Sequence, residues 1–299
     1  MKQLLLIITL ILCGMMVEAQ THNVSNNQTR KQTATTQKKQ STNSSKSRKS
    51  SAATYTPEVK TYYANGVAFQ MVEVRGGTFT MGATSEQGSD AKSDEKPAHK
   101  VTLSDYYIGK TEVTQALWKA VMGKTVSQIA SENNWDKYGV GDNYPMYYIS
   151  WNDCKTFISK LNALTGKNFR MPTEAEREYA ARGGSKSRGY KYSGSNRLGD
   201  VAWYDDNSGG KTHEVGTNSP NELGLYDMSG NVWEWCSDWY GAYSSASQTN
   251  PKGPDSGANR VRRGGCWDGD ARGCRCSSRD NIGPDARGTS LGLRLCLSE

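Results

Sequence analysis

The stretch Asn221–Tyr240, NELGLYDMSGNVWEWCSDWY, decides how the rest of the chain is read. It carries Trp233, Trp235 and Trp239, a Gly230-Asn231 pair, and scattered Asn, Asp and Ser, with no long apolar run. Glycine and short polar side chains mark turns. Such text predicts a fold rich in loops, its core built from aromatic rings. The wider body agrees. All eight tryptophans fall within residues 61–299, glycine is frequent there, and no internal repeat is found. That length suits one large domain.

Toward the N-terminus the text becomes better punctuated. PTEAEREYAARGG predicts a helix capped by Thr173, reciprocated by Glu176 and stopped by Gly183-Gly184. Ser150-Trp151-Asn152-Asp153 resembles a capping box, and Trp151, Cys154, Phe157, Ile158 and Leu161 follow on one helical face before Gly166. TQALWKAVMG predicts a third helix, with Thr114 as cap, Leu117, Trp118 and Val121 inward, and Gly123 as terminator. Val101, Leu103 and Tyr107 mark a strand-like region, and Met71–Ala83 reads as a short strand pair around Gly76-Gly77.

The first residues read differently. Lys2, the apolar run Leu4–Leu12 and Val17-Glu18-Ala19 predict an export signal over 1–19, and that run is too short to span a bilayer. Cys13 raises the alternative of a lipoprotein signal, but Leu12 occupies a place where a small residue is needed. Residues 20–60 hold almost no large apolar side chain and are expected to be a disordered linker. Between Gln20 and Lys60 eight Lys or Arg face Glu58 alone, a net of +7 that equals the charge of the whole chain. The body is therefore close to neutral, and no nucleic-acid partner is expected. The tail reads as a solvated tether or, more sharply, as a contact for acidic envelope surfaces.

A family likeness now has its residues. RGGTFTMG, PAHKVTLSDYYIGKTEVT, YPMYYISWNDC, FRMPTEAEREYAARGG, the opening stretch, RVRRGG and GPDARGTSLGLR occur in this order between Val67 and Arg294. The chain resembles the formylglycine-generating enzymes, or sulfatase-modifying factors. The resemblance implies an α+β domain of low regular secondary structure, related to the C-type lectin architecture. Catalytic members oxidise a sulfatase cysteine to formylglycine with molecular oxygen and a copper ion held by two cysteines. Matched onto this chain, those positions fall on Gly269 and at or near Ala271, so neither copper ligand is present. A copper site made from Cys266, Cys274 and Cys276 instead departs from the family's spacing.

The same resemblance implies a calcium site around Y-N/D-x-x-G-N-x-W-E-W. Carried over, it uses the side chains of Asp227 and Glu234 and the carbonyls of Gly230 and Val232, oxygens suited to a hard cation. The plainer reading makes Asp227 and Glu234 turn caps beside the Trp233–Trp235 core. Asp205, Asp206 and Asn207 do not align with the family's second site and stay unassigned. Six cysteines follow the signal, and in an exported protein bridges are expected. The resemblance implies Cys154–Cys296, although Cys154 lies one turn earlier and Cys296 one residue later than the family's cysteines. Cys236 is assigned Cys274, and Cys266 and Cys276 are left to pair or stay free.

His22, His99 and His213 have no metal-ligand spacing, and no hydrolase or nucleotide-binding motif is present. Trp203, Trp233, Trp235, Trp239 and Trp267 line either a carbohydrate surface or the core. The expected function is an exported binding or structural envelope protein without the copper pair, its partner a protein or glycan. The alternatives are a formylglycine-generating oxidase and a retroelement-diversified C-type-lectin-like binder. For the last, Asp268, Gly269, Asp270, Gly273, Asp280, Ile282, Gly283, Ala286, Gly288, Thr289 and Ser290 form a scatter of small and polar residues between fixed ones. Another branch of the family implies a component of secretion or motility machinery.

Overall fold

The computed structural model describes residues 55–298, so the expected signal at 1–19 and the linker as far as residue 54 lie outside the described residues. The linker boundary expected at residue 60 moves. Strand β1 (Val59–Ala64) is already paired with β2 (Val67–Val74) across an Asn65-Gly66 turn with both φ angles positive. Upstream side chains hold the entry. The Tyr55 hydroxyl donates to the Glu73 carbonyl at 2.9 Å, and the Arg75 guanidinium lies 4.2 Å above the Tyr55 ring. Tyr107 donates to the Glu58 carboxylate at 2.5 Å.

The three punctuated helices form as their caps dictate. Helix α1 (Gln115–Met122) starts at Thr114, whose hydroxyl accepts from Leu117 N at 3.2 Å, and stops at left-handed Gly123. A second helix, α2 (Val126–Asn133), was not foreseen, although Thr125 and Gln128 form a capping box in front of it. Its apolar face is thin, with only Val126 and Ala130 buried. Helix α3 (Trp151–Thr165) has the Ser150–Asp153 capping box and buries Trp151, Cys154, Phe157, Ile158 and Leu161. Phe157 lies flat on Trp118 of α1, ring centres 4.9 Å apart, as the aromatic core requires. Helix α4 (Glu174–Ala181) follows the Thr173–Glu176 box.

The strands form three small sheets. Remaining strands in chain order are β3 (Gly77–Met81), β4 (His99–Leu103), β5 (Tyr106–Gly109), β6 (Phe169–Arg170), β7 (Trp233–Trp239) and β8 (Gln248–Thr249). They are followed by β9 (Arg260–Arg263), β10 (Arg279–Ile282), β11 (Leu291–Gly292) and β12 (Cys296–Leu297). The sheet orders are β1-β2-β5-β12-β6, β10-β9-β7-β11 and β3-β4-β8.

The strand pair expected around Gly76-Gly77 is therefore not a hairpin. β2 and β3 lie in different sheets, and β3 pairs with β4. Gly76 makes the crossing possible. A Cβ there would stand 2.2 Å from the Leu103 carbonyl oxygen, and its N–H donates to Asp105 at 2.7 Å. The backbone passes against a neighbouring strand's end instead of turning back.

Candidate functional site

Helix α4 has no solvent face, since Glu174 to Ala181 are all buried. Buried charges are tolerated when each is paired, and the C-terminal strands supply the partners. Arg279 on β10 grips Glu174 through two bonds of 2.8 and 2.7 Å. Arg263 on β9 pairs with Glu178 and lies 3.5 Å from Glu174. Arg177 donates to Glu234 on β7 at 3.1 Å, and Arg294 reaches the same carboxylate at 2.8 Å. Arg275 is held by Glu95, its Nη1 donating at 2.9 Å. Arg263, Arg275 and Arg279, beside the late cysteines, are thus buried cross-links rather than surface charge. Their partners lie far away in sequence, so no local signal reveals them.

On this base sits a segment of two-sided character. Gly264 and Gly265 lead the chain out of β9 at φ of +107° and +76°. Beyond them, Cys266, Trp267 and residues 274–279 are buried. Asp268, Gly269, Asp270, Gly273, Asp280, Ile282, Gly283, Ala286, Gly288, Thr289 and Ser290 are all half-buried or exposed, and burial resumes at Leu291. Trp267 anchors the segment, stacking on Tyr138 at 5.0 Å and donating through Nε1 to the Thr289 carbonyl at 3.2 Å. Asp205 N donates to the Gly269 carbonyl at 3.1 Å, so the loop with Asp205 and Asp206 borders the same face.

Of the five tryptophans considered for carbohydrate, Trp233, Trp235 and Trp267 are buried. Half-buried Trp203 stacks on His213 at 3.8 Å, and Trp239 carries the Arg260 guanidinium at 3.4 Å. They belong to the core and its rim. A cleft of about 950 Å³ among the described residues is lined by residues such as Trp151, Lys155 and Arg170 and includes none of the 264–290 segment.

None of the expected disulfides is present in the structure. Cys154, Cys236, Cys266, Cys274, Cys276 and Cys296 are all free and buried. Cys154 packs in the apolar cluster of Trp118 and Phe157, whereas Cys296 belongs to a second cluster with Tyr179. The one-residue offset explains this, because successive strand residues face opposite sides. Leu295 and Leu297 share Cys154's cluster, while the Cys296 sulfur lies 3.8 Å from Glu176 on α4. The Cys236–Cys274 pair is likewise not formed. Cys236 lies on β7 among the charges of Asp238, Glu174, Arg177 and Arg263, and Cys274 packs beneath Gly265. Burial pushes the Cys274 and Cys276 thiols up to about 12, and Cys154, Cys236, Cys266 and Cys296 are raised as well.

The expected calcium residues share one turn leading into β7, with Gly230 and Asn231 at φ of +81° and +60°. Asp227 Oδ2 accepts from Gly216 N at 2.7 Å, while Oδ1 is buried without a hydrogen-bond partner. Glu234 differs from expectation, since its oxygens accept from Arg177 Nε at 3.1 Å and from Arg294 Nε and Nη2 at 3.0 and 2.8 Å. Burial alone would raise its pKa, and the two guanidinium groups reverse that. Its side chain is an ion-pair hub, not a spare ligand.

Sequence reading missed Glu112, which accepts from Val232 N at 3.2 Å and Asn231 Nδ2 at 3.0 Å. Burial, with the Asp227 charge beside it, holds Glu112 well above the usual carboxylate range. Burial also pushes Asp227 up to about 6, against the lowering effect of the Gly216 N–H. Among the described residues no three His, Cys, Asp or Glu side chains converge as a metal cage. Of the two expected side-chain donors, Asp227 alone keeps an oxygen, Oδ1, without a hydrogen-bond partner.

Small curled sheets, buried capped helices and a loop face on an ionic base define the α+β class of formylglycine-generating, C-type-lectin-like folds. The sulfatase-modifying factor enzyme 1-like domain matches residues 55–298, and the chain belongs to that family. It is 34% identical to a protein of Paenibacillus barcinonensis named chaperone protein LppX, over 78% of this chain and 91% of that one. The mouse formylglycine-generating enzyme is 30% identical, over 75% of this chain and 74% of that one. Among solved structures, Treponema denticola variable protein 1 superposes with a TM-score of 0.70 at 35% identity, covering 82% of this chain and 100% of that one. PvdO from Pseudomonas aeruginosa gives 0.64 at 27%, covering 79% and 97%.

Proposed function

We propose that this chain is an exported, non-catalytic binding protein that presents residues 268–273 and 280–290 to a protein or glycan ligand on the cell envelope. The carrying observation is the burial pattern: ten scattered small or polar positions and Ile282 all reach the surface, and buried residues flank them. A folded base of ion pairs beneath a sequence-tolerant face is what a binding scaffold needs. Similarity to a variable protein and to a relative named a chaperone supports the reading. Export rests on the text of residues 1–19.

The oxidase alternative has Gly269 and Ala271 at the copper-ligand positions, and its remaining thiols are held protonated by burial. Incubating reduced protein with copper and a CxPxR peptide under oxygen is therefore expected to give no aldehyde, and formylglycine by mass spectrometry would overturn the reading. The retroelement-diversified version is favoured by the same exposed scatter. The neighbouring DNA should then carry a reverse transcriptase and a near-copy of the segment.

Calcium belongs to this proposal, held by Asp227 Oδ1 with the Gly230 and Val232 carbonyls, while Glu234 stays with its arginines. When bound, the ion would supply positive charge to buried carboxylates. About 10 mM calcium should raise the unfolding midpoint of chelator-treated protein by about 5 °C. Asp227→Asn should abolish that rise, and an unshifted wild-type midpoint would remove the site.

A further inference from the structure

We propose that Cys266 and Cys274 become joined by a disulfide that closes the loop Trp267–Gly273 across the candidate binding face. The consequence for ligand binding rests on the function proposed above, but the bond itself does not. The loop's two ends already meet. Gly269 N donates to the Cys266 carbonyl at 3.2 Å, Gly273 N to Asp270 at 3.1 Å, and Cys274 N to Ala271 at 3.3 Å. Two successive turns therefore fold the segment back on itself.

The contact at its base is close. A Cβ on Gly265 would stand 2.5 Å from Cys274 Sγ and 2.9 Å from its Cα and N. Cys274 thus packs directly on the residue before Cys266, and the Cys266 main-chain N–H approaches its sulfur closely enough to lower that thiol's pKa. Neighbouring Cα atoms are about 3.8 Å apart. Contact at Gly265, with the Cys266 N–H beside the Cys274 sulfur, therefore places the two cysteines as neighbours across the loop's base, where a disulfide needs Cα atoms about 4.4–6.8 Å apart. The Cys266 sulfur lies on the inner side of its own turn, 3.1 Å from where a Gly269 Cβ would be. The Cys266 thiol also meets the Asp268 and Ser290 side chains, and the bond requires it to leave them and turn toward Cys274.

The other cysteines are turned elsewhere. Cys276 donates to the Ala181 carbonyl at 3.6 Å and packs with α4, and Cys296 faces Glu176. Burial holds both loop thiols protonated in the folded state, so the bond forms during folding, while thiolate is still accessible. The oxidant is a disulfide donor such as oxidised glutathione or an oxidised dithiol protein. A thiolate attacks the donor's S–S bond to give a mixed disulfide, and the second thiolate displaces the donor's remaining sulfur. Two thiol protons and two electrons leave the chain, one S–S bond forms in it, and the donor becomes two thiols.

The test uses full-length protein refolded with a glutathione redox buffer, alkylated under denaturing conditions and digested with trypsin without reduction. Cleavage at Arg263, Arg272 and Arg275 separates the two cysteines from each other and from Cys276. The expected product is Gly264–Arg272 joined to Gly273–Arg275. Recovery of both peptides alkylated, or of Cys274 joined to another cysteine, would overturn the proposal. As a second readout, reductant should lower the unfolding midpoint by about 5 °C, and the Cys266→Ser/Cys274→Ser variant should lose that dependence. A bridged protein that makes aldehyde would leave this inference standing and remove the non-catalytic reading. An unbridged protein that makes none would do the reverse.

Discussion

Replacing Arg263 with methionine is expected to cost about 3–5 kcal/mol of folding stability, the range for breaking a buried ion pair from one side. The side chain is fully buried and is shared by Glu178 and Glu174. It also donates to the Ser277 carbonyl at 2.7 Å and to that of Ser278. Methionine fills much of the volume but leaves two carbonyls and part of two carboxylates without donors. Glu174 keeps Arg279 and Glu178 keeps Arg182, so the loss stays within that range rather than exceeding it. For a domain of this size the midpoint should fall by about 10 °C. The double variant Arg263→Met/Glu178→Gln should recover about 1 kcal/mol or more, because the neutral amide no longer needs the cation. Denaturant titration measures both. A single-variant loss under about 1 kcal/mol would mean that the network does not hold the base.

That base was the least legible part of the sequence. Helices α1, α3 and α4 were readable because caps such as Thr114, Ser150 and Thr173 act on backbone groups three residues away. The pairing of β3 with β4, and of Arg279 with Glu174, joins residues that no short window contains. Arginine looks like a surface residue in text, and only α4 arriving beneath the C-terminal strands makes it a core residue. Register is equally silent. One residue's offset turned Cys296 from α3 to α4, and the disulfide expected by resemblance was lost with it. At the candidate site the exposed scatter was legible as composition. Glu234 was read as a ligand because its two arginines lie 57 and 60 residues away.

Glycine substitutions should separate the fixed base from the tolerant face more sharply than any other change. Gly265→Ala is expected to cost about 3 kcal/mol or more, from two sources. The φ of +76° penalises a side chain by about 1–2 kcal/mol, and the new Cβ would be 2.5 Å from Cys274 Sγ and 2.9 Å from its backbone. Gly264→Ala adds a Cβ 2.4 Å from Arg177 Nη2, displacing a guanidinium that serves Glu234. Gly283 and Gly288, within the scatter, impose neither constraint. Neither has a positive φ, nothing lies within 4 Å of a Gly283 Cβ, and a Gly288 Cβ meets only Leu291 at 3.6 Å. Gly283→Asn and Gly288→Asn should therefore change stability by less than about 0.5 kcal/mol, as surface substitutions do. Gly269 is intermediate, since its Cβ would lie 3.1 Å from the Cys266 sulfur. Midpoints for the four single variants decide the matter. Equal losses at Gly265 and Gly283 would mean that residues 268–273 and 280–290 are as constrained as their base, and a face open to sequence change would no longer describe them.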